Sequence, residues 1–363
     1  MDKTKEKLED IGTVLLIQND CESIKQLVLH YHDSIFCMRI IPYMALFCRA
    51  FQEYAEIELI SPEVDTEIYD LRNSIKIYGE RYGKNKKRFL AVDEEQDNEY
   101  KSQLKFDFLK DMDIHYNMGM FFTEDKKIIG NTHLIESMLK LHGLSKEEQE
   151  KKCVSLGLHL SSVIGSVSSG LESSLPAPQI VVEGQLPRFL YKDINTNKND
   201  FFNSNLEKAE NLFLLHMLSN INFIKYVLCP LLAKDNLWIF RLKYISIYHA
   251  YKGIVKIKCY MENNRADKND LWKEVDCIIE EGENIFVSKF RNCMMHYNLN
   301  RDNEFSISEG NFAWDKPFFG LIEECFDGMP YRDYVKRLEK LGDVIEEFIT
   351  KQFDFNKMYL EDF

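Results

Sequence analysis

The sequence predicts a mainly α protein, and three observations carry that expectation. Apolar residues recur at helical spacing over long stretches, beginning with Val14, Leu15, Ile24, Leu27, Val28, Ile35 and Ile40. Only 16 Gly and 8 Pro punctuate 363 residues, few for the many turns of a strand-rich fold. Helix-start signals stand ahead of several periodic stretches. With 45% hydrophobic and 29% charged residues the composition is that of a soluble globular protein, and the length allows two domains.

The elements follow in order. Residues 5–58 read as helix, kinked or restarted at Pro42. Ser61-Pro62-Glu63 combines a capping hydroxyl, a proline suited to the first turn and an acid near the positive helix end. The helix it starts should run to about Tyr82. The cations Lys84, Lys86, Lys87 and Arg88 read as a short basic loop and 93–99 as an acidic one, both solvated. Met118-Gly119-Met120-Phe121-Phe122 fits a strand or a turn. A capped helix is expected over 131–141, and Ser145 with Glu148 forms a capping box that launches another through about Val163.

Composition then shifts. Residues 165–205 are rich in Ser, Pro, Gly and Asn, and Gly165-Ser166-Val167-Ser168-Ser169-Gly170 reads as a flexible connection. A linker or long loop is placed at 176–204, between a mostly helical N-terminal domain, 1–175, and a helical C-terminal domain, 205–363. Helices are expected there at 206–232, 237–261, 268–281, 285–299 and 331–353, with polar connections at 263–270 and 300–312.

The net charge of −13 disfavours indiscriminate nucleic-acid binding, which needs broad basic surfaces, but leaves room for a local cationic site. Nine cysteines include no Cys-x-x-Cys pair, and most sit among apolar neighbours, as reduced core cysteines do. With no secretory pattern in 1–19, the expected compartment is the cytoplasm. The longest apolar run, 211–232, is interrupted by His216, Ser219, Asn220, Asn222 and Lys225, so a buried helix is expected and not a membrane span. His30 and His32 point to different sides of a helix, which argues against zinc with Cys37. The chain has neither a Gly-x4-Gly-Lys-Ser/Thr loop nor a Gly-x-Gly-x-x-Gly fingerprint. No metal and no cofactor are expected.

The chemistry concentrates in Phe290-Arg291-Asn292-Cys293-Met294-Met295-His296-Tyr297. An imidazole moves protons near neutral pH, and a guanidinium is a permanent planar cation for a phosphate whose charge grows in a transition state. On a regular helix five positions separate Arg291 and His296 by roughly 140°, so one helix alone makes a poor site. Two such helices across a two-fold axis would line a shared cleft. Leu71-Arg72-Asn73-Ser74-Ile75-Lys76-Ile77-Tyr78 aligns on the motif without gaps, Ile77 standing where the histidine is. Duplication and coincidence both explain it; the spacing from the upstream aromatic stretches, 36–51 and 240–260, differs between the halves.

Arg291, Asn292 and His296 resemble the Arg-x4-His signature of the HEPN superfamily, helical proteins many of which are RNases. The resemblance covers about 206–353. It implies a HEPN-like bundle in the C-terminal domain, with 1–175 as a degenerate copy if the duplication is real. It also implies a composite site, from a homodimer or an internal pseudo-dimer, cleaving RNA without a metal. His296 would be general acid or base, Arg291 would stabilise the phosphorane, and Asn292 would orient one of them or the phosphate. A bacterial toxin or anti-phage role, with an antitoxin or activating partner, is implied by the resemblance alone. The alternatives are an inert HEPN-type module that binds a partner protein or nucleotide, and a structural pairing of Arg291 with Glu281 or Asp276.

Overall fold

A computed structural model of the chain describes residues 3–57, 61–76, 82–104, 115–172, 178–198, 201–202, 205–264, 271–297, 307, 310–355 and 361–362. The fold is mainly α, with twelve α-helices and one small sheet among the described residues.

The N-terminal half opens with α1 (Lys3–His30) and α2 (Ser34–Ala55). Asp33 separates them: its carboxylate caps α2 by accepting from the N–H groups of Ile35 and Phe36. Pro42 neither ends nor restarts α2, which runs through it with both flanks buried. Helix α3 (Pro62–Ile75) begins as its signal predicts, with the Ser61 hydroxyl accepting from the Val64 N–H at 3.3 Å.

The expected basic and acidic loops are both part of one helix, α4 (Tyr82–Gln103). Tyr82, Phe89 and Val92 supply its apolar face, and Asp93 and Asp97 are buried on it. These acids are paired rather than solvated. Asp93 accepts from the Thr196 hydroxyl at 2.5 Å and meets Lys208, while Asp97 bonds His115 at 2.7 Å.

The ambiguous apolar run is strand β1 (Met118–Thr123), paired antiparallel to β2 (Ile128–Asn131). Asn131 then caps α5 (Thr132–Leu139). The Ser145–Glu148 box opens α6 (Lys146–Glu172), Glu148 accepting from the Ser145 N–H at 2.8 Å. Gly165-Ser166-Val167-Ser168-Ser169-Gly170 is not a flexible connection but the last turns of α6, because Val163, Ile164 and Val167 keep one face in the core. Within the stretch 176–204, β3 (Phe189–Ile194) pairs antiparallel with β1 from Met118↔Ile194 to Thr123↔Phe189. The sheet order is β2-β1-β3-β4, with β4 at Glu361–Asp362.

In the C-terminal half, α7 (Lys208–Asn222) packs on β2 and continues as a π turn (Phe223–Leu228) and a 3-10 turn (Cys229–Leu231). Then come α8 (Leu237–Asn264), α9 (Leu271–Ile285), α10 (Ser288–Met295), the short α11 (Leu321–Cys325) and α12 (Tyr331–Thr350). Gly282 of α9 lies flat on the Tyr251 ring of α8, where a Cβ would come within 2.2 Å of a ring carbon. Helix α3 ends at Ile75, with Lys76 as its C-terminal cap, short of the expected Tyr82, which instead opens α4. Ile77 and Tyr78 of the aligned segment, 265–270, and all of 298–309 but Ile307 lie outside the described residues. One continuous apolar core joins the two halves, α1 packing on α8 and α4 on both α7 and α8.

Three helices are long and apolar enough to cross a membrane by length and composition: α2, α6, and α7 with its continuation. Most of the apolar window in α2 and in α7 is buried inside the fold, against a third of that in α6.

Candidate active site

Helix α10 is short for a reason that can be read residue by residue. Phe290 enters an aromatic cluster with Tyr244, Phe326 and Tyr334, and Cys293, Met294 and Met295 follow it into the core. At the C-terminal end the carbonyl of Met294 is taken by Arg241 of α8, through Nε at 3.2 Å and Nη2 at 2.9 Å. A cation on a terminal carbonyl satisfies an acceptor that would otherwise lack a partner and suits the negative helix end. Arg241 is itself paired with buried Asp20 of α1. The Tyr297 hydroxyl donates to the same carboxylate at 2.5 Å, and the Arg241 guanidinium lies 4.1 Å from the centre of the Tyr297 ring. Burial pushes the Asp20 carboxyl up, and the Arg241 charge opposes it.

His296 therefore stands just beyond α10 and not within it. Its backbone is extended, with φ −141° and ψ 101°, and its N–H caps the Asn292 carbonyl at 3.0 Å. The helical-wheel separation expected for Arg291 and His296 does not apply to a residue past the helix end. Extended neighbours alternate sides. Tyr297 is buried on Asp20, and the His296 ring, 24% exposed, turns to Glu53 near the end of α2. Nδ1 of His296 lies 2.5 Å from Glu53 Oε2, and Arg49 donates to Oε1 at 3.0 Å. The hydrogen bond from His296 holds the Glu53 carboxyl down at about 2, burial opposing and Arg49 and Arg72 assisting. An ionised carboxylate only accepts, so Nδ1 carries the proton and Nε2 is left for chemistry.

Arg291 is half-buried. Its Nη2 and Nε donate to Asn292 Oδ1 at 2.6 and 3.2 Å, and Nη1 reaches the Tyr248 hydroxyl at 3.4 Å. Asn292 thus holds the arginine, not the histidine. Asp276 pairs with Lys258 instead of Arg291. Among the described residues no hydrogen bond joins Arg291 to His296.

The aligned segment repeats this local arrangement. Arg72 Nη1 donates to Asn73 Oδ1 at 3.4 Å on α3. The two units reach one electrostatic neighbourhood. Arg72 helps lower Glu53, the partner of His296. Lys76 is pushed down to about 8 by burial and by Arg72 and Arg291. Buried His249 of α8 is pushed down to about 3 by burial, then by Lys76, Arg72, Lys256 and Arg291. Helix α9 intervenes between α8 and α10 and has no counterpart between α2 and α3, which accounts for the unequal spacing in sequence.

Sequence reasoning missed Glu53, Lys76, His249, Asp20 and Arg241. Lys76 had a signal, its place in the aligned segment; the others lie on helices far away in sequence and carry none. Elsewhere, Glu95, Glu136 and His142 bring three ligand-type atoms within 4.8 Å of one another, sharing no residue with the motif. Glu95 there accepts from the Gly143 N–H at 2.8 Å and pairs with His142. His30 donates to the Gln26 carbonyl at 2.7 Å, away from His32 and Cys37.

No protein-family model matches the chain, and searches of curated proteins and of solved structures find no match.

Proposed function

We propose that the chain is an endoribonuclease that cleaves RNA without a metal, by attack of a ribose 2′-hydroxyl on the adjacent phosphate. The observation that carries this reading is the Glu53–His296 pair, whose Nε2 has no hydrogen-bond partner among the described residues, with His296 on the same short segment as Arg291 and Asn292. His296 Nε2 takes the 2′-hydroxyl proton, the new P–O bond forms, and the bond to the 5′-oxygen breaks. The imidazolium, stabilised by ionised Glu53, returns a proton to the leaving oxygen. The products are a 2′,3′-cyclic phosphate and a 5′-hydroxyl. Arg291 offers its planar fork to the phosphorane oxygens, with Asn292 fixing the guanidinium plane. DNA lacks the nucleophile and is not a substrate.

The proximity of the Arg72–Asn73 unit supports an internal pseudo-dimer over a homodimer. Cytoplasmic location, a toxin or anti-phage role and an antitoxin or activating partner belong to the same proposal and rest on the HEPN resemblance. The second reading, an inert module that binds a partner protein or nucleotide, is favoured by the charge of −13. Incubating total RNA and a matched DNA with the purified chain in EDTA decides between them. Cleavage of RNA alone, with cyclic-phosphate ends, is the expected result; an intact RNA pool after candidate activators have been supplied would transfer the case to the binding module.

A further inference from the structure

Beside the proposed catalytic pair lies a group of basic side chains, two of which carry buried nitrogens with no hydrogen-bond partner among the described residues. Arg72 is only 5% exposed, and its Nε and Nη2 find no hydrogen-bond partner among the described residues. His249 is equally buried, and neither ring nitrogen has a partner. Lys76, four residues beyond Arg72 at the C-terminal cap of α3, and Arg291 complete the group and are half-buried, marking its approach from solvent. Glu53 is the carboxylate that offsets Arg72 and Lys76, and it is already engaged by His296 and Arg49. Buried donors without acceptors are rare because each forfeits its hydration. Two on one arginine, next to an imidazole with none, are a site shaped for an incoming acceptor.

We propose that Arg72, Lys76 and His249 form an anion site for a phosphate group, taking the RNA backbone phosphate that neighbours the one cleaved. A tetrahedral phosphate offers several oxygens: the Arg72 fork can take two and the Lys76 ammonium a third. His249 faces Lys76, Arg72, Lys256 and Arg291, so in the free chain its ring is held neutral. An arriving anion reverses that repulsion, and binding draws a proton onto the imidazole. Lys76 faces Arg72, Arg291 and Glu53; its charge in the free chain fades as pH rises through about 8, and affinity fades with it. The anion site stands on the orphaned donors; the identity of the phosphate as an RNA phosphate rests on the endoribonuclease reading.

Two probes test it: inorganic phosphate, and a 2′-O-methyl RNA trinucleotide, which keeps its phosphates but lacks the attacking hydroxyl. Binding is followed by thermal midpoint and by the histidine ring proton resonances. Each of Lys76→Met and His249→Gln is expected to weaken both probes about tenfold, the usual scale for one charge-assisted hydrogen bond. Lys76→Met should also lower the salt slope for the trinucleotide by about 0.7. His249→Gln should abolish proton uptake on phosphate binding, while Lys151→Met on exposed α6 changes nothing. Arg72→Met is the strongest variant if it folds; the other two suffice if it does not. Equal phosphate binding by wild type, Lys76→Met and His249→Gln would overturn the site. Phosphate binding that Lys76→Met weakens, in a wild type that ignores the trinucleotide, would keep the anion site and overturn its assignment to RNA.

Discussion

Two segments of this chain carry the same Arg-Asn pair and put it to different use. On α3, Arg72 and Asn73 sit inside the helix, and the chain is still close to helical at Lys76. On α10 the helix stops at Met295, the backbone straightens, and His296 swings onto Glu53. The difference lies less in the motif than in what ends the helix. Arg241 takes the Met294 carbonyl, with Asp20 and Tyr297 behind it. Among the described residues no such clamp acts on α3, and its cations Arg72 and Lys76 bear electrostatically on His249 instead. A short motif is therefore a pair of side chains plus an instruction about where to leave the helix, and the second part is written elsewhere in the sequence.

The largest expected effect breaks the comparison outright. His296→Ala should lower RNA cleavage by on the order of 10²–10⁴-fold with the fold intact, measured on one single-stranded RNA in EDTA. Arg291→Lys should be severely impaired as well, since an ammonium lacks the planar fork. Cleavage surviving in both variants would remove this segment from the chemistry and leave the two segments equivalent.

The next test attacks the clamp. Asp20→Ala leaves the Arg241 charge buried without its carboxylate, a change that typically costs about 3–5 kcal/mol. Tyr297→Phe loses one hydrogen bond to that carboxylate and should cost about 1–2 kcal/mol. Urea denaturation reads both. If the two substitutions cost the same, the ion pair is not what holds the end of α10.

Glu53→Gln sharpens the contrast by removing the partner of His296. Loss of the ionised acceptor favours the wrong histidine tautomer and should reduce turnover, by no more than the loss of the ring itself. The same substitution has a pH signature. The Glu53 carboxyl is held at about 2 in the folded chain against 4.5 ordinarily, so its stabilisation is complete above 4.5 and disappears as pH falls toward 2. Thermal midpoints of wild type and Glu53→Gln should converge across that interval; parallel curves would mean that the bond to His296 adds no stability.

The smallest effect belongs to the segment on α3. Lys76 ionises at about 8 when folded against 10.5 ordinarily, so the unfolded chain holds more protons between those values and stability should rise with pH there. Lys76→Met should flatten that rise. A rise of equal size in the variant would assign it to another group.

Local signals in the sequence were legible and distant ones were not. Ser61, Asn131 and Ser145 cap helices because each acts on backbone two or three residues away. The charge runs of α4 misled, since charge alone does not distinguish a solvated loop from a helix whose acids meet Thr196, Lys208 and His115 across the fold. Gly165-Ser166-Val167-Ser168-Ser169-Gly170 misled in the opposite sense: Gly165, Ser166, Ser169 and Gly170 face solvent, while Val163, Ile164, Val167 and buried Ser168 hold the helix to the core. Arg291, Asn292 and His296 were visible as residue types. Their geometry depends on Glu53, Asp20 and Arg241, which long loops of chain bring to them, and nothing in a single sequence marks such pairings.

One feature of the fold bears on how such an arrangement endures. The chain between the halves is sewn into both of them: β3 lies along β1, Val182 bridges to Leu232, and Phe202 bridges to Phe353. The two Arg-Asn units are thus tethered by paired backbone and not by a free leash. Their effective molarity toward each other is set by covalent connection and stays the same at any protein concentration. Dilution, which disperses units carried by separate subunits, does not separate two segments of one polypeptide.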